Sequence, residues 1–164
     1  MNATLVRPTV CQPGRVLAGL RDPTLAAALQ AALDGNGLEV ERLADGRTLG
    51  PTLQRGPFDC VVLDDALPGL DPVPGLQHLR SVDPAVTVIM VIATGTVAAR
   101  VRLLDHGADD VQALPVDVAE LAARVRAASR RQRQWRDAAV VLDHGPLRLQ
   151  LDRRVASWRG QDVM

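Results

Sequence analysis

The sequence predicts an α/β fold: a doubly wound five-stranded parallel sheet followed by a short antiparallel β segment. Three observations carry that expectation. Five short strand-like runs recur, and those over 16–20, 58–63 and 86–92 are mostly apolar, as strands buried on both faces are. Each is followed by a segment of helical period, the alternation that builds parallel sheets. Beyond residue 140 the apolar spacing falls to two, the period of a half-exposed antiparallel strand.

Residues 1–14 (MNATLVRPTVCQPG) hold two prolines and a glycine with no sustained period and are expected to form a flexible extension. The first strand is expected over 16–20. Asp22-Pro23 then opens a helix, with Asp22 as N-cap and Pro23 where a missing N–H costs nothing. Leu25, Ala28, Leu29 and Ala32 keep its period, and Gly35 is its expected stop. A second strand is read over 38–41 and a poor helix over 48–55, interrupted by Gly50-Pro51. FDCVVL (58–63) is the third strand, followed by a turn-rich stretch over 67–75 and a short helix around 77–80. VTVIMVI (86–92) is the most apolar strand, 96–105 the next helix, ended by Gly107, and 111–114 the fifth strand. The cleanest helix spans 117–131, with Val118, Leu121, Ala122 and Val125 on one face and arginines opposite.

A basic linker is expected over 132–139, Arg133 and Arg136 continuing the charge of Arg130 and Arg131. In the segment 140–164, Leu147, Leu149 and Leu151 alternate with Arg148, Gln150 and Asp152. A few strands with one apolar face are marginal alone, so this piece is expected to be a truncated part of a second domain.

Composition narrows the chemistry. The 164 residues hold no lysine, which excludes a Schiff base or a P-loop lysine. All 19 basic side chains are arginine, balanced by 19 carboxylates. The charge is split: residues 1–129 carry 11 Arg and 15 Asp or Glu, residues 130–164 carry 8 Arg and 4 Asp. Cys11 and Cys60 make no disulfide framework, so a reducing cytoplasm is the expected compartment. No run is long enough to span a bilayer. His78, His106 and His144 have no ligand-spaced partner, so no metal site is expected from them. No Gly-rich phosphate loop or nucleophile elbow is present, and an enzyme is not expected.

The segments FDCVVLDDALPGLDP, IMVIAT and GADDVQALPVDVAELAARVRAASRR resemble the receiver domain of bacterial response regulators over residues 15–131. The resemblance implies the flavodoxin-like receiver fold. The tail VVLDHGPLRLQLDRRVASWRGQDV is similar to the N-terminal sheet of the winged-helix DNA-binding domain of OmpR-type regulators, without the helices that include the recognition helix. In receivers an aspartate accepts a phosphoryl group beside two acidic residues that hold Mg²⁺, and a Thr or Ser and a Lys read the phosphate. Asp64 matches the phosphoacceptor. The acidic pair falls on Leu20 and Arg21, the switch threonine on Ile92, the lysine on Leu114 and the aromatic switch on Val111. Asp64 is therefore expected to be a phosphoacceptor position that no longer works, without Mg²⁺. It is either a leftover carboxylate ion-paired with Arg21 or a site in which Arg21 stands for the metal's charge. Asp65 beside it suggests a haloacid-dehalogenase-type pair, but that family's second aspartate falls on Ala66.

The resemblance further implies dimerisation through the fourth helix, fifth strand and fifth helix by cross-subunit salt bridges. Arg100, Asp109, Asp110, Glu120, Arg124 and Arg131 all carry the family's charges at the matching positions. An ion pair within the fifth helix is the simpler account of Glu120 and Arg124. The expected function is a phosphorylation-independent transcriptional regulator acting as a homodimer, with promoter DNA a partner only of a longer parent protein. Two alternatives stay open. One is an interaction module that sequesters an intact regulator. The other is a sensor binding a small-molecule ligand in an apolar Leu20/Ile92/Leu114 pocket.

Overall fold

The computed structural model describes residues 13–137, 141–144, 147–150, 155–158 and 161–162. The first unit runs β1 (Gly14–Gly19), α1 (Pro23–Leu33), β2 (Leu38–Arg42), a 3₁₀ turn (Gly46–Thr48) and α2 (Leu49–Leu53). It continues with β3 (Cys60–Asp64), α3 (Pro72–Val82), β4 (Thr87–Ile92), α4 (Val97–Asp105), β5 (Asp110–Ala113) and α5 (Val118–Asp137). The five strands are parallel in the order β2-β1-β3-β4-β5. The chain order reverses between β1 and β3, so the loops at the carboxyl ends of those strands splay apart and leave the crevice where such sheets place their sites.

Helices cover both faces because the strands are apolar on both. On one face Leu17, Val61, Leu63, Val88, Met90 and Ile92 pack with side chains of α2, α3 and α4. On the other, Val16, Ala18, Val62, Ile89 and Val91 pack against Leu29 and Leu33 of α1 and Leu121, Ala122 and Val125 of α5. Adjacent residues of β4 thus serve opposite layers, as a period of two requires.

Local chemistry sets the ends. Asp22 accepts from the Thr24 amide at 2.8 Å and caps α1, with Pro23 in the first turn, as expected. The helix ends at Leu33; Gly35 has φ +79°, a left-handed conformation that costs glycine nothing. α4 is capped by the Thr96 hydroxyl and is followed by Gly107, at φ +108°. The main carbonyl of Gly107 accepts from Arg80, whose guanidinium also reaches Val86 O and the Asp109 carboxylate, tying α3 to the turn before β5.

Three expectations are corrected. Gly50-Pro51 does not interrupt α2, because Pro51 lies in its first turn, where amides have no intrahelical acceptor. The turn-rich 67–75 yields to an α3 that begins at Pro72, making it 11 residues long. The basic segment expected as a linker over 132–139 is helical through Asp137, since Arg, Gln and Ala are strong helix formers and no Gly or Pro breaks the run.

The tail forms an antiparallel sheet, β6 (Val141–His144), β7 (Leu147–Gln150), β8 (Val155–Trp158) and β9 (Gln161–Asp162), in that spatial order. This matches the period-two reading. The extension expected over 1–14 lies outside the described residues except for 13 and 14, and Gly14 already belongs to β1. No helix of the described residues is long and apolar enough to cross a membrane.

Candidate functional site

Asp64 closes β3 at the carboxyl edge of the sheet and is 2% exposed. Both of its oxygens are engaged by backbone: Oδ1 accepts from Ala66 N at 2.9 Å and Oδ2 from Arg21 N at 3.3 Å. A buried carboxylate must be satisfied in this way or lose its charge. Three of the positions expected to complete the site are apolar. Leu20 is 5% exposed and Ile92 fully buried, while Leu114, joined to Pro115 by a cis peptide bond, is half-buried.

Two expectations fail here. The Arg21 guanidinium forms no ion pair with Asp64 among the described residues; the side chain is exposed and only its amide reaches the carboxylate. A guanidinium keeps its hydration at the surface, whereas pairing with Asp64 would require burying it. Arg21 therefore does not stand where a metal's charge would. Nor do Leu20, Ile92 and Leu114 gather into one apolar pocket. Leu20 and Leu114 pack in the layer beneath α1 and α5, and Ile92 in the layer beneath α2–α4.

The residues present do not fit Mg²⁺. That ion takes one or two carboxylates in octahedral geometry with several waters. Here Asp64 has no second carboxylate free to join it: Leu20 offers no donor, Arg21 is cationic, and Asp22 is committed to capping α1. Among the described residues no three of His, Cys, Asp and Glu come together. Buried Cys60 is held as a thiol, its pKa pushed up by loss of solvation and by nearby carboxylates.

Asp65 takes a part that the sequence did not suggest. Its amide donates to Val91 O and its Oδ1 accepts from Ala93 N at 3.2 Å. A carboxylate supplied by the chain itself thus holds the first amide after β4, at the root of the loop leading into α4. As successive residues on a strand end, Asp64 and Asp65 diverge, with no shared contact that would make them a catalytic pair.

A second region lies on the other side of that loop. Val97, Val101 and Leu104 recur at i, i+4 and i+7 along α4 and are 68%, 47% and 44% exposed. Arg100 stands in the same stripe and is also exposed. On the next elements, Arg124 of α5 donates to Asp110 of β5 at 3.0 Å and to Glu120 at 2.5 Å. These two carboxylates raise the Arg124 pKa, the Glu120 hydrogen bond most. The expected intrahelical pair therefore exists, and Asp110 joins it. Asp109 is drawn away to Arg80 at 2.6 Å and to the Val88 amide at 2.7 Å. Arg131 is exposed on α5. Of the six charged positions, three form one cluster, one is clasped inside the subunit and two face solvent. The exposed apolar stripe was missed, although its spacing was legible.

A parallel α/β sheet with an aspartate at the end of its third strand, a Pro-Gly turn and a Gly-Ala-Asp-Asp approach to the fifth defines a class. Residues 21–126 match the model of the response regulator receiver domain, and the chain belongs to that family. It is 40% identical over 117 residues to the transcriptional regulatory protein TcrA of Mycobacterium tuberculosis, covering 71% of this chain and 46% of that protein. It is 38% identical over 152 residues to the response regulator protein PmrA of Pseudomonas aeruginosa, covering 91% and 66%. The chain thus spans about half to two thirds of the length of these relatives. Among solved structures, the Francisella response regulator 1452 receiver domain superposes with TM-score 0.66 at 25% identity, over 72% of this chain and 98% of that one. An orphan response regulator of H. pylori shares the fold, with TM-score 0.66 at 19% identity, over 73% of this chain and 98% of that one.

Proposed function

We propose that this receiver works without phosphorylation, as a constitutive dimerisation module of a transcriptional regulator. The observation that carries the reading is the exposed Val97/Val101/Leu104 stripe on α4, flanked by Arg100 and by the Arg124–Asp110–Glu120 cluster. Water-facing apolar rows of this kind are covered in a working assembly, and a ring of opposite charges sets partner and register. A two-fold pairing would bring the same patch of each subunit together. Arg100 and Arg131, free of ion pairs among the described residues, are then the charges available to reach across. Asp110 and Glu120 supply the carboxylates that Arg124 does not saturate.

The dismantled phosphate end supports the same reading. A receiver that relied on transfer would need a metal cage beside its aspartate, and the positions of the acidic pair, Leu20 and Arg21, supply no carboxylate for one. Asp65 meanwhile holds Ala93 N, so the loop before α4 is anchored by a carboxylate that needs no kinase to install it. The chain carries no catalytic residue in this reading and requires no Mg²⁺. In a longer form with the helices of a winged-helix domain, the dimer would place two recognition helices on repeated promoter half-sites.

Incubation with Mg²⁺ and acetyl phosphate tests the phosphate half of the proposal. Intact-mass measurement is expected to find no phosphoryl adduct, and the molar mass in solution to stay as it was. An adduct that disappears in Asp64→Asn, with a change of oligomeric state, would overturn it.

A further inference from the structure

A third region bears on neither the Asp64 end nor the α4 stripe. A cavity of about 390 Å³ lies between the turn that follows α1 and the last turns of α5, lined by Asn36, Leu38, Arg126, Ser129, Arg130 and Arg133, with Gln134. Its size is that of small-molecule sites, which combine an apolar wall with a few converging polar groups. Leu38 supplies the wall and the other residues supply the polar groups.

Two facts make it more than a gap between arginines. The first is Ser129. It is 1% exposed, and its Oγ, itself buried, has no hydrogen-bond partner among the described residues. Buried hydroxyls are satisfied almost without exception, and a helical serine ordinarily bonds back to its own helix or faces water. This one does neither, and its residue lines the cavity. Rotation about a single χ1 torsion is enough to turn the hydroxyl among its staggered positions.

The second fact is the charge around it. Arg126 and Arg130 are four residues apart on α5 and so lie on one face of the helix, on either side of Ser129 in sequence. Arg130 makes no ion pair or hydrogen bond among the described residues, and Arg126 makes one long contact, to Ala32 O at 3.5 Å. A guanidinium has five N–H donors, so both have most of theirs to offer. Arg133 is held by partners of its own. The Asn36 amide already donates to the carbonyls of Ala32, Leu33 and Asp34, which blunts the negative end of α1 at this point. All of this sits on a body whose first 129 residues carry an excess of acid, so the positive potential is local.

We infer that this cavity is a binding site for a small phosphoryl-bearing molecule. Tetrahedral phosphoryl oxygens are the acceptors that two guanidinium groups and one hydroxyl donor can meet from different directions at once, through charge-assisted hydrogen bonds. Occupancy would join the end of α5, just ahead of the antiparallel sheet, to the α1–β2 turn. It would give this receiver a chemical input that does not pass through Asp64.

The test uses the whole 164-residue chain, with inorganic pyrophosphate and adenosine diphosphate as probes, titrated calorimetrically and by thermal shift at fixed ionic strength. Saturable one-site binding is expected with pyrophosphate. Tighter binding of the nucleotide would mean that the cavity also holds the nucleoside, and equal binding that only the phosphoryl end is read. Arg126→Ala/Arg130→Ala is expected to weaken binding about 100-fold, and Ser129→Ala about 10-fold, at roughly 1.4 kcal/mol per tenfold. Arg130 is exposed, so its single alanine variant keeps the fold and serves as a check on the pair. The inference is overturned if neither probe saturates, if citrate binds in place of both, or if the double variant binds like the unaltered chain.

Discussion

The Asp64 end of the sheet and the outer face of α4 place their aliphatic side chains in opposite surroundings. On the strand side, where the receiver family keeps acids, a hydroxyl and a lysine, this chain has Leu20, Ile92 and Leu114 packed into two layers of core. On the helix side, Val97, Val101 and Leu104 stay in water beside an intact set of charges. Replacing a polar site by aliphatic side chains in a buried place stabilises the fold, because burial of each CH₂ is worth about 0.8 kcal/mol. Leaving aliphatic side chains exposed stabilises nothing in the monomer. The buried aliphatic side chains are accounted for within the subunit, and the exposed ones are what the proposed dimer would cover.

The comparison can be broken from its buried side first. Leu20→Asp, which restores an acid of the family pattern, is expected to cost about 3 kcal/mol or more, since it places a charge where the neighbours are aliphatic. Thermal denaturation should show a fall on the order of 10 °C. A neutral outcome, with Mg²⁺ raising the melting temperature, would mean the site is still a cage. Arg21→Asp sharpens the point: it is exposed, so stability should hold within about 0.5 kcal/mol, and calorimetry should detect no Mg²⁺ binding.

Next comes the charge cluster. Arg124→Glu removes two ion pairs and sets like charges four residues apart with Glu120. The monomer should lose only about 1 kcal/mol, because these pairs are solvated, while subunit association should fall at least about tenfold. Asp65→Ala is expected to be milder, about 1 kcal/mol from one lost hydrogen bond, with faster amide exchange at Ala93 as its signature.

The smallest effect lies far from both regions. Asp45 caps the 3₁₀ turn and pairs with Arg47, whose hydrogen bonds lower its pKa from 3.8 to about 2. A lowered pKa in the folded state stabilises above the ordinary value, and that gain is lost as pH falls through about 2. Asp45→Asn should therefore lower stability above about pH 4, converge with the unaltered chain near pH 2, and so flatten the stability–pH curve between those values.

Much of this was legible in the sequence, for reasons that differ by element. Asp22-Pro23, the strand runs and the β6–β9 alternation are local signals that tertiary contacts had no cause to override. The position of Asp64 followed from a motif. The orientation of Arg21 did not, because a guanidinium's choice between solvent and a buried carboxylate depends on desolvation and not on adjacency. The continuation of α5 to Asp137 was hidden by reading arginines as linker charge when they are also good helix formers. That Leu20 and Ile92 serve different layers is a consequence of period-two alternation across two strands, visible only once their register is known.

The most direct measurement is the solution molar mass of the untreated chain by light scattering, without Mg²⁺ or phosphodonor, beside Val101→Glu. The account predicts a mass of twice 17.6 kDa for the chain and a folded monomer for the variant. A monomer for the unaltered chain, or a dimer indifferent to Val101→Glu, would contradict it.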